Sequence, residues 1–252
     1  MNITTMNNNI LKIKETDSTN HWLKEQSEKQ ALDEGTTIVA EFQTAGKGQR
    51  GNHWESEAGK NITCSMILYP EFLPLKQHFL LSEAVALGLK DAIEQYIRPV
   101  DIKWPNDIYY QNKKMAGILI ENELTGNIIG KSIIGIGLNV NQEQFSAVAP
   151  NAVSMKQVLG KEINIDALLE KTITAILFRY NTLKNGNSGL IASDYQDSLY
   201  RKSGLHLFAD KNGSFNAEIE RVADDGFLHL ITDAGEKRCY TFKEVSYCPP
   251  AP

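Results

Sequence analysis

A loop with three glycines and two cations follows directly on a β-branched, apolar stretch at residues 36–42. This stretch predicts a buried strand, which leads straight into residues 43–54, with the sequence Gln-Thr-Ala-Gly-Lys-Gly-Gln-Arg-Gly-Asn-His-Trp. Glycine backbone can approach a ligand closely, and its N–H groups, together with Lys47 and Arg50, can bind an anion. Trp54 offers a flat face for a purine. The alternative is a flexible surface loop with scattered cations, because glycine-rich loops alone are a weak signal.

A second segment, at residues 103–107, has the sequence Lys-Trp-Pro-Asn-Asp and is followed at residues 114–118 by Lys-Met-Ala-Gly-Ile. Charged groups flanked by apolar strands should be paired or bound to a ligand. Asp107 could accept hydrogen bonds from a nucleophilic amine, while Lys103 and Lys114 could face a developing phosphate charge. The alternative is a surface turn with a local Lys–Asp pair, typically worth ~0–1 kcal/mol.

The two segments together carry a specific pattern. Gly-x-Gly-x-x-Gly-x-x-Trp, then Lys-Trp-Pro-Asn-Asp, then Lys-x-Ala-Gly-Ile-Leu resemble the motifs of biotin–protein ligases in order and spacing. The resemblance covers roughly residues 12–154. It implies that biotin and ATP react to biotinyl-5′-adenylate, and that biotin is then transferred to one lysine of a biotin carboxyl carrier protein. Mg²⁺ is expected mostly on the phosphates, so no dedicated metal site is predicted in the sequence.

The resemblance also implies roles for particular residues. Biotin is expected to be bound by Ser18, Thr19, Asn20, Gln43, Gly46, Lys47, Gly48, Gln49, Lys114 and Gly117. The nucleotide is expected to be bound by Arg50, Gly51, Trp54, Asn106 and Asn139. The implied catalytic residues are Lys114, Asp107, Lys47, Arg50 and Lys103. The family commonly has arginines where this chain has Lys47 and Gln49, so Lys47 keeps the charge without the bidentate fork and Gln49 loses the charge.

For the fold, the resemblance implies an α+β class with a mixed, mostly antiparallel sheet flanked by helices, as in class II synthetases and biotin ligases. A catalytic domain is expected at residues 1–200 and a small SH3-like β-barrel at residues 201–252. The barrel is also indicated by short, evenly spaced strands with Asp-Gly and Asn-Gly turns. The predicted barrel strands are 206–209, 214–222, 227–231 and 238–242.

In the first domain, the capping side chains at residues 17–19 predict a helix at 20–29, and the apolar spacing predicts a long amphipathic helix at 75–97. A meander of strands is predicted at 108–110, 115–123 and 128–140. The polar segment 141–151 is a candidate ligand-covering loop, and Asn164 could cap a later helix. The long strand at 128–140 could pair edge to edge with a second copy, giving a homodimer.

Composition excludes several classes of function. A net charge of −5 disfavours a general nucleic-acid binder. Few residues precede Ile10, so we expect no DNA-binding domain of the winged-helix kind that some members of the family carry. No stretch reaches the ~20 apolar residues that span a bilayer. The three cysteines show no C-x-x-C spacing, which favours a reducing cytoplasm, and the five histidines show no metal-ligand spacing.

Two other functions are compatible with these motifs. A lipoate or octanoyl transferase on the same fold would use a longer, apolar acyl tunnel, whereas Ser18, Thr19 and Gln43 are polar groups suited to a ureido ring. A non-catalytic nucleotide-binding regulator would not require Lys114 and Asp107. A turnover assay distinguishes the three.

Overall fold

The computed structural model describes residues 4–7, 9–147 and 149–248. Its strands are β1 (Thr4–Asn7), β2 (Ile10–Thr16), β3 (Thr37–Gln43), β4 (Ile62–Leu68), β5 (Asp101–Lys103), β6 (Asp107–Tyr110), β7 (Lys113–Thr125), β8 (Ile128–Leu138), β9 (His206–Asp210), β10 (Gly213–Val222), β11 (Leu228–Thr232), β12 (Lys237–Tyr240) and β13 (Val245–Tyr247). Its helices are α1 (Thr19–Lys29), α2 (Phe79–Glu94), α3 (Met155–Leu159), α4 (Ile165–Lys184) and α5 (Ser188–Asp197), with 3-10 turns at Gln49–Gly51 and Leu75–Gln77.

The strands form two sheets. The larger has the order β1-β2-β3-β4-β8-β7-β6-β5, in which only β2 and β3 run parallel, and the smaller is antiparallel with the order β12-β11-β10-β9-β13. The predicted α+β fold is therefore confirmed, with a mixed, mostly antiparallel sheet and a small SH3-like C-terminal sheet. Helix α1 connects the parallel pair, because parallel neighbours need a crossover connection.

The two faces of the larger sheet are covered by different helices. Along β4, Cys64 and Met66 point into the main core, which also contains the apolar residues of α2, α4 and α5. The alternate residues face α1: Ser65 contacts that helix, and Ile67 belongs to a smaller cluster with Leu23. Because side chains alternate along a strand, the same strand supports a core on one face and polar contacts on the other.

Helix α2 differs from its prediction. It is shorter than residues 75–97, since Leu75–Gln77 forms a separate 3-10 turn. It also lacks the solvent-exposed face of an amphipathic helix, because most of its residues, among them Glu83, are buried. The sheet covers one side of the helix, and α4 and α5 pack on the others.

The prediction of a free edge on the strand at 128–140 is wrong. This strand is β8, and it lies between β4 and β7 with hydrogen-bonded partners on both sides. A second copy cannot pair with a strand whose backbone groups are already used. Among the described strands, the edges of the larger sheet are β1 and β5. A homodimer through one of those edges stays a prediction.

The C-terminal sheet packs against the larger one. Trp104 donates a hydrogen bond from Nε1 to the carbonyl of Gly226 at 3.0 Å, and the Phe79 amide donates to the carbonyl of Asp224 at 3.1 Å. The main core contains buried residues of both sheets. The division into two domains near residue 200 stays a prediction. Among the described helices, none combines the length and apolarity needed to cross a bilayer.

Candidate active site

An open cavity of about 1150 Å³ lies where β3 ends, α1 begins and the C-terminal sheet approaches. Most of the residues predicted from the sequence line it. They are Ser18, Thr19, Asn20, Gln43, Lys47, Gly48, Gln49, Gly51, Trp54, Lys103, Asn106, Asp107, Lys114, Gly117 and Asn139. The fold thus brings the glycine loop and the Lys-Trp-Pro-Asn-Asp segment to one site.

Among the predicted residues that the structure describes in full, Gly46 is the one that does not line the cavity. A Cβ on Gly46 would lie 2.5 Å from the carbonyl oxygen of Trp54, so glycine at this position permits the close approach of the two loop arms. The backbone of Arg50 belongs to the 3-10 turn Gln49–Gly51, but its side chain lies outside the described part of the chain. The role of Arg50 therefore stays a prediction.

The glycine loop is folded back on itself as a hairpin. Lys47 and His53 form an antiparallel bridge, and the Gly48 amide donates to the carbonyl of Asn52 at 2.7 Å. The Trp54 amide donates to the carbonyl of Gly46 at 2.9 Å. These bonds hold the exposed Lys47 side chain at the cavity wall.

Trp54 lies across glycines of the sheet. A Cβ on Gly137 would come within 2.2 Å of the indole, and one on Gly117 within 3.2 Å. One face of the ring is therefore covered by the sheet, and only the other face is available to a purine. Lys114 Nζ lies 5.6 Å from the ring centroid. The indole Nε1 is buried and has no hydrogen-bond partner among the described residues, so a bound ligand could supply the acceptor.

A polar cluster lies at the start of α1. Gln43 Oε1 accepts a hydrogen bond from the Thr19 amide at 2.8 Å and lies 3.1 Å from the Thr19 hydroxyl. Ser65 Oγ lies 2.7 Å from the Thr19 hydroxyl. Ser18 is the N-cap residue of α1, but its side chain makes no capping bond, contrary to expectation. Its buried hydroxyl lines the cavity instead.

Lys114 and Asp107 form an ion pair across the neighbouring strands β6 and β7. Lys114 Nζ lies 2.6 Å from Asp107 Oδ1, and both side chains are partly exposed to the cavity. The Lys114 backbone is held by the carbonyl of Asn151 and the amide of Val153, at 2.7 and 2.9 Å. Asn151 ends the candidate ligand-covering loop, so the end of this loop anchors the lysine, and the loop also lines the cavity with Phe145, Ala149 and Pro150.

Lys103 is held by two aromatic rings. Its Nζ donates to the Tyr109 hydroxyl at 3.0 Å and lies 4.6 Å from the Tyr109 ring centroid and 5.3 Å from that of Tyr247. Burial lowers the pKa of Lys103, and the Asp107 carboxylate partly opposes that change. The ammonium is therefore already placed in a fixed environment beside Asp107.

Part of the cavity wall was not predicted from the sequence. Tyr109 lines it, and so do five residues of β13 and of the turn before it, namely Phe242, Lys243, Val245, Ser246 and Tyr247. These last residues are far from the motifs along the chain, and nothing in their local pattern indicated a site. Ser65 is not one of the lining residues but contacts Thr19 behind the wall, and its polarity inside an apolar strand was a usable signal. No cluster of three or more metal-ligating acidic, histidine or cysteine side chains occurs among the described residues.

The profile of the Biotin/lipoate A/B protein ligase family matches residues 13–139. This range runs from Ile13, within β2, to Asn139, directly after β8, and contains both sequence motifs. The chain belongs to this family.

Curated relatives and solved structures agree with that assignment. The Bifunctional ligase/repressor BirA of Bacillus subtilis is 32% identical over 82% of this chain and 65% of its own length. The Biotin–[acetyl-CoA-carboxylase] ligase of Paracoccus denitrificans is 33% identical over 79% of this chain and 85% of its own length. The biotin protein ligase of Aquifex aeolicus, solved with biotin and ATP, superposes with a TM-score of 0.77 at 27% identity, covering 95% of this chain and 98% of that one. This chain spans 65% of the length of the Bacillus relative.

Proposed function

We propose that this chain is an ATP-dependent biotin–protein ligase. In the first step, biotin and ATP give biotinyl-5′-adenylate and pyrophosphate. In the second, a lysine amine of a biotin carboxyl carrier domain takes the biotinyl group and AMP leaves. The observation that carries the proposal is the meeting in one cavity of a neutral polar cluster, suited to a ureido ring, with the Lys114–Asp107 pair and Lys47.

For the first step, a biotin carboxylate oxygen attacks the α-phosphorus of ATP, and the bond to the pyrophosphate oxygen breaks. Both reactants are anions, so their approach needs fixed positive charge. Lys114 supplies it at a position set by Asp107 and by the backbone of the covering loop. Lys47 supplies a second charge from the hairpin, and Arg50 is assigned a third by family resemblance. Mg²⁺ would be held mainly by the phosphates and water, in keeping with its preference for oxygen ligands.

The nucleotide would lie beside the second group of predicted residues. Trp54 offers one ring face, and Gly51 leaves the turn of the loop without a side chain. Asn106 donates from Nδ2 to the Ile118 carbonyl at 2.6 Å, which fixes its amide at the cavity wall. Asn139 directly follows β8, and its backbone N–H donates to the Met115 carbonyl at 3.0 Å. These contacts fix the Asn106 side-chain amide and the Asn139 backbone before any ligand binds.

For the second step, the carrier lysine must attack as a neutral amine. Its nitrogen bonds to the biotinyl carbonyl carbon, and the bond to the AMP oxygen breaks. Asp107 can accept a hydrogen bond, and then the proton, from this amine while still contacting Lys114, because a carboxylate has several acceptor positions. The same ion pair thus serves both steps, with Lys114 facing phosphate and Asp107 facing the amine.

The deciding experiment is ATP–pyrophosphate exchange with biotin and, separately, with lipoate and octanoate. We expect exchange with biotin alone, because Thr19 and Gln43 form a polar cluster where a long apolar acyl chain would need an apolar wall. Exchange with lipoate or octanoate but not biotin would overturn the proposal in favour of the other branch of the family. Nucleotide binding without exchange would instead indicate a regulator.

The proposal includes a cellular setting. All three cysteines are free thiols, including the exposed Cys239. Free thiols of this kind are usual for proteins of a reducing compartment. We therefore place the ligase in the cytoplasm, where ATP and the carrier domain of a biotin-dependent carboxylase would be its partners. Fractionation of cells with an antibody against the chain tests the location.

A further inference from the structure

A row of hydrogen bonds connects the cavity wall to the surface of the larger sheet. Glu121, on β7, accepts a bond from Asn20 Nδ2 at 2.6 Å. The Ser65 hydroxyl lies 2.6 Å from Asn20 Oδ1 and 2.7 Å from the Thr19 hydroxyl. Asn20, Ser65 and Thr19 are at most 3% exposed, whereas Glu121 is exposed at the outer end. The row therefore has one charged end and one end in the candidate biotin pocket.

The chemistry of the outer end sets the direction of every bond in the row. An ionised carboxylate can only accept hydrogen bonds, so the NH₂ group of Asn20 must face Glu121. The carbonyl oxygen of Asn20 then faces Ser65 and can only accept, so Ser65 must donate its single proton to it. With its own proton used, the Ser65 oxygen can only accept from the Thr19 hydroxyl, which lies 2.7 Å away.

Thr19 has one hydroxyl proton and two possible acceptors. Ser65 Oγ lies 2.7 Å from the Thr19 hydroxyl oxygen, and Gln43 Oε1 lies 3.1 Å from it. Within the row, Thr19 is the only donor to Ser65 Oγ, so the proton goes to Ser65. Gln43 Oε1 already receives the Thr19 amide proton at 2.8 Å. With its proton used by Ser65, the Thr19 oxygen faces the cavity as an acceptor, and Gln43 keeps its NH₂ group as a donor.

The sheet prevents this row from rearranging freely. A Cβ on Gly135 would lie 2.4 Å from Asn20 Oδ1, so the Asn20 amide lies directly on the backbone of β8. If this buried amide exchanged its oxygen and nitrogen, its oxygen would face the Glu121 carboxylate, two acceptors would meet and that hydrogen bond would be lost. The orientation is therefore decided by the charge at Glu121.

We propose that Glu121 is a positioning residue for biotin, acting through Asn20 and Ser65 on the polarity of Thr19. This inference rests on the proposed function. The ureido ring of biotin offers two N–H donors and one carbonyl acceptor. An acceptor at Thr19 and a donor at Gln43 complement that pattern, whereas a reversed row would present a second donor to an N–H group of the ring.

The test reverses the charge at the outer end. Lysine can only donate, so Glu121→Lys should turn the Asn20 amide around and reverse each bond up to Thr19. We expect the dissociation constant for biotin, measured by isothermal titration calorimetry, to rise by about tenfold or more, the effect of one lost hydrogen bond. The KM for ATP in pyrophosphate exchange should change less than about twofold, since the row does not reach the predicted nucleotide residues. Glu121→Gln retains an acceptor oxygen and should show a much smaller loss.

Two controls separate this device from a surface-charge effect. Glu123→Lys makes the same charge change two residues along β7, where the carboxylate pairs with Lys131 at 2.8 Å, and should leave biotin affinity unchanged. Ser65→Ala breaks the row, so adding Glu121→Lys in that background should have no further effect. Wild-type affinity in Glu121→Lys, or an equal loss with and without Ser65, would overturn the inference. Absence of biotin binding by the wild type would overturn the proposed function instead.

Discussion

Replacing Glu83 with glutamine should change how stability depends on pH. Glu83 lies on α2 near its contact with the C-terminal sheet and is 1% exposed. Its Oε2 has no hydrogen-bond partner among the described residues. Burial, followed by the nearby Asp224 carboxylate, raises the pKa of Glu83 from 4.5 to about 8. The folded protein therefore holds this carboxyl neutral at pH 7.

The sign and size of the effect follow from linkage. Below pH 4.5 the carboxyl of Glu83 is protonated in both the folded and the unfolded chain and has no differential effect. As the pH rises towards 8, the unfolded chain loses this proton while the folded chain keeps it, so the free energy of unfolding falls. At ~1.36 kcal/mol per pH unit, the loss reaches on the order of 4–5 kcal/mol, a large share of a typical ~5–15 kcal/mol.

Glutamine has nearly the shape of glutamic acid and stays neutral, so Glu83→Gln should remove this loss. Urea unfolding followed by circular dichroism at pH 5 and pH 8 measures it. We expect similar stability of variant and wild type at pH 5, and a variant more stable by a few kcal/mol at pH 8. Glu28→Gln, at an exposed position of α1, is the matched control. Parallel pH profiles for Glu83→Gln and wild type would refute the reasoning.

Three further predictions concern the site. Lys114→Ala should slow biotin-dependent pyrophosphate exchange by about 10²–10³-fold, as expected for loss of a preorganised charge. Exposed Lys113→Ala is its control, and near-normal exchange by Lys114→Ala would remove that lysine from the site. Asp107→Asn should impair single-turnover transfer from preformed adenylate, because an amide cannot take up the proton, and a wild-type rate would contradict its role. Arg50→Gly should release the adenylate and therefore biotinylate an unrelated protein, as detected on a blot. If it labels no unrelated protein, the charge that retains the adenylate lies elsewhere, and Lys47 is the first residue to test.

The order of the central strands could be predicted from the sequence. Strands β6, β7 and β8 appear as apolar, β-branched runs separated by Gln-Asn-Lys and Thr-Gly-Asn turns, and the structure confirms this meander. Local patterns are sufficient here because each strand pairs with its neighbour along the chain. The predicted cap on Asn164 is confirmed for the same reason, since its side chain accepts from the Ala167 amide at 3.0 Å.

Features that depend on distant elements could not be predicted in the same way. The burial of α2 results from α4 and α5. These helices pack on the side of α2 that its apolar periodicity predicted to face solvent. Strand β13 has only three residues, too few for an alternating pattern, yet its Tyr247 ring contacts Lys103 in the cavity wall. The glycines at Gly135 and Gly137 were visible in the sequence, but their contacts with Asn20 and Trp54 required the structure.

The most direct test of the central claim is the intact mass of a biotin carboxyl carrier domain after incubation with this protein, biotin, ATP and Mg²⁺. The account predicts a mass increase of one biotinyl group, which requires ATP and disappears when the acceptor lysine is changed to arginine. It also predicts that Lys114→Ala gives little or no product in the same time. An unmodified carrier in the presence of active, folded wild-type protein would contradict the claim.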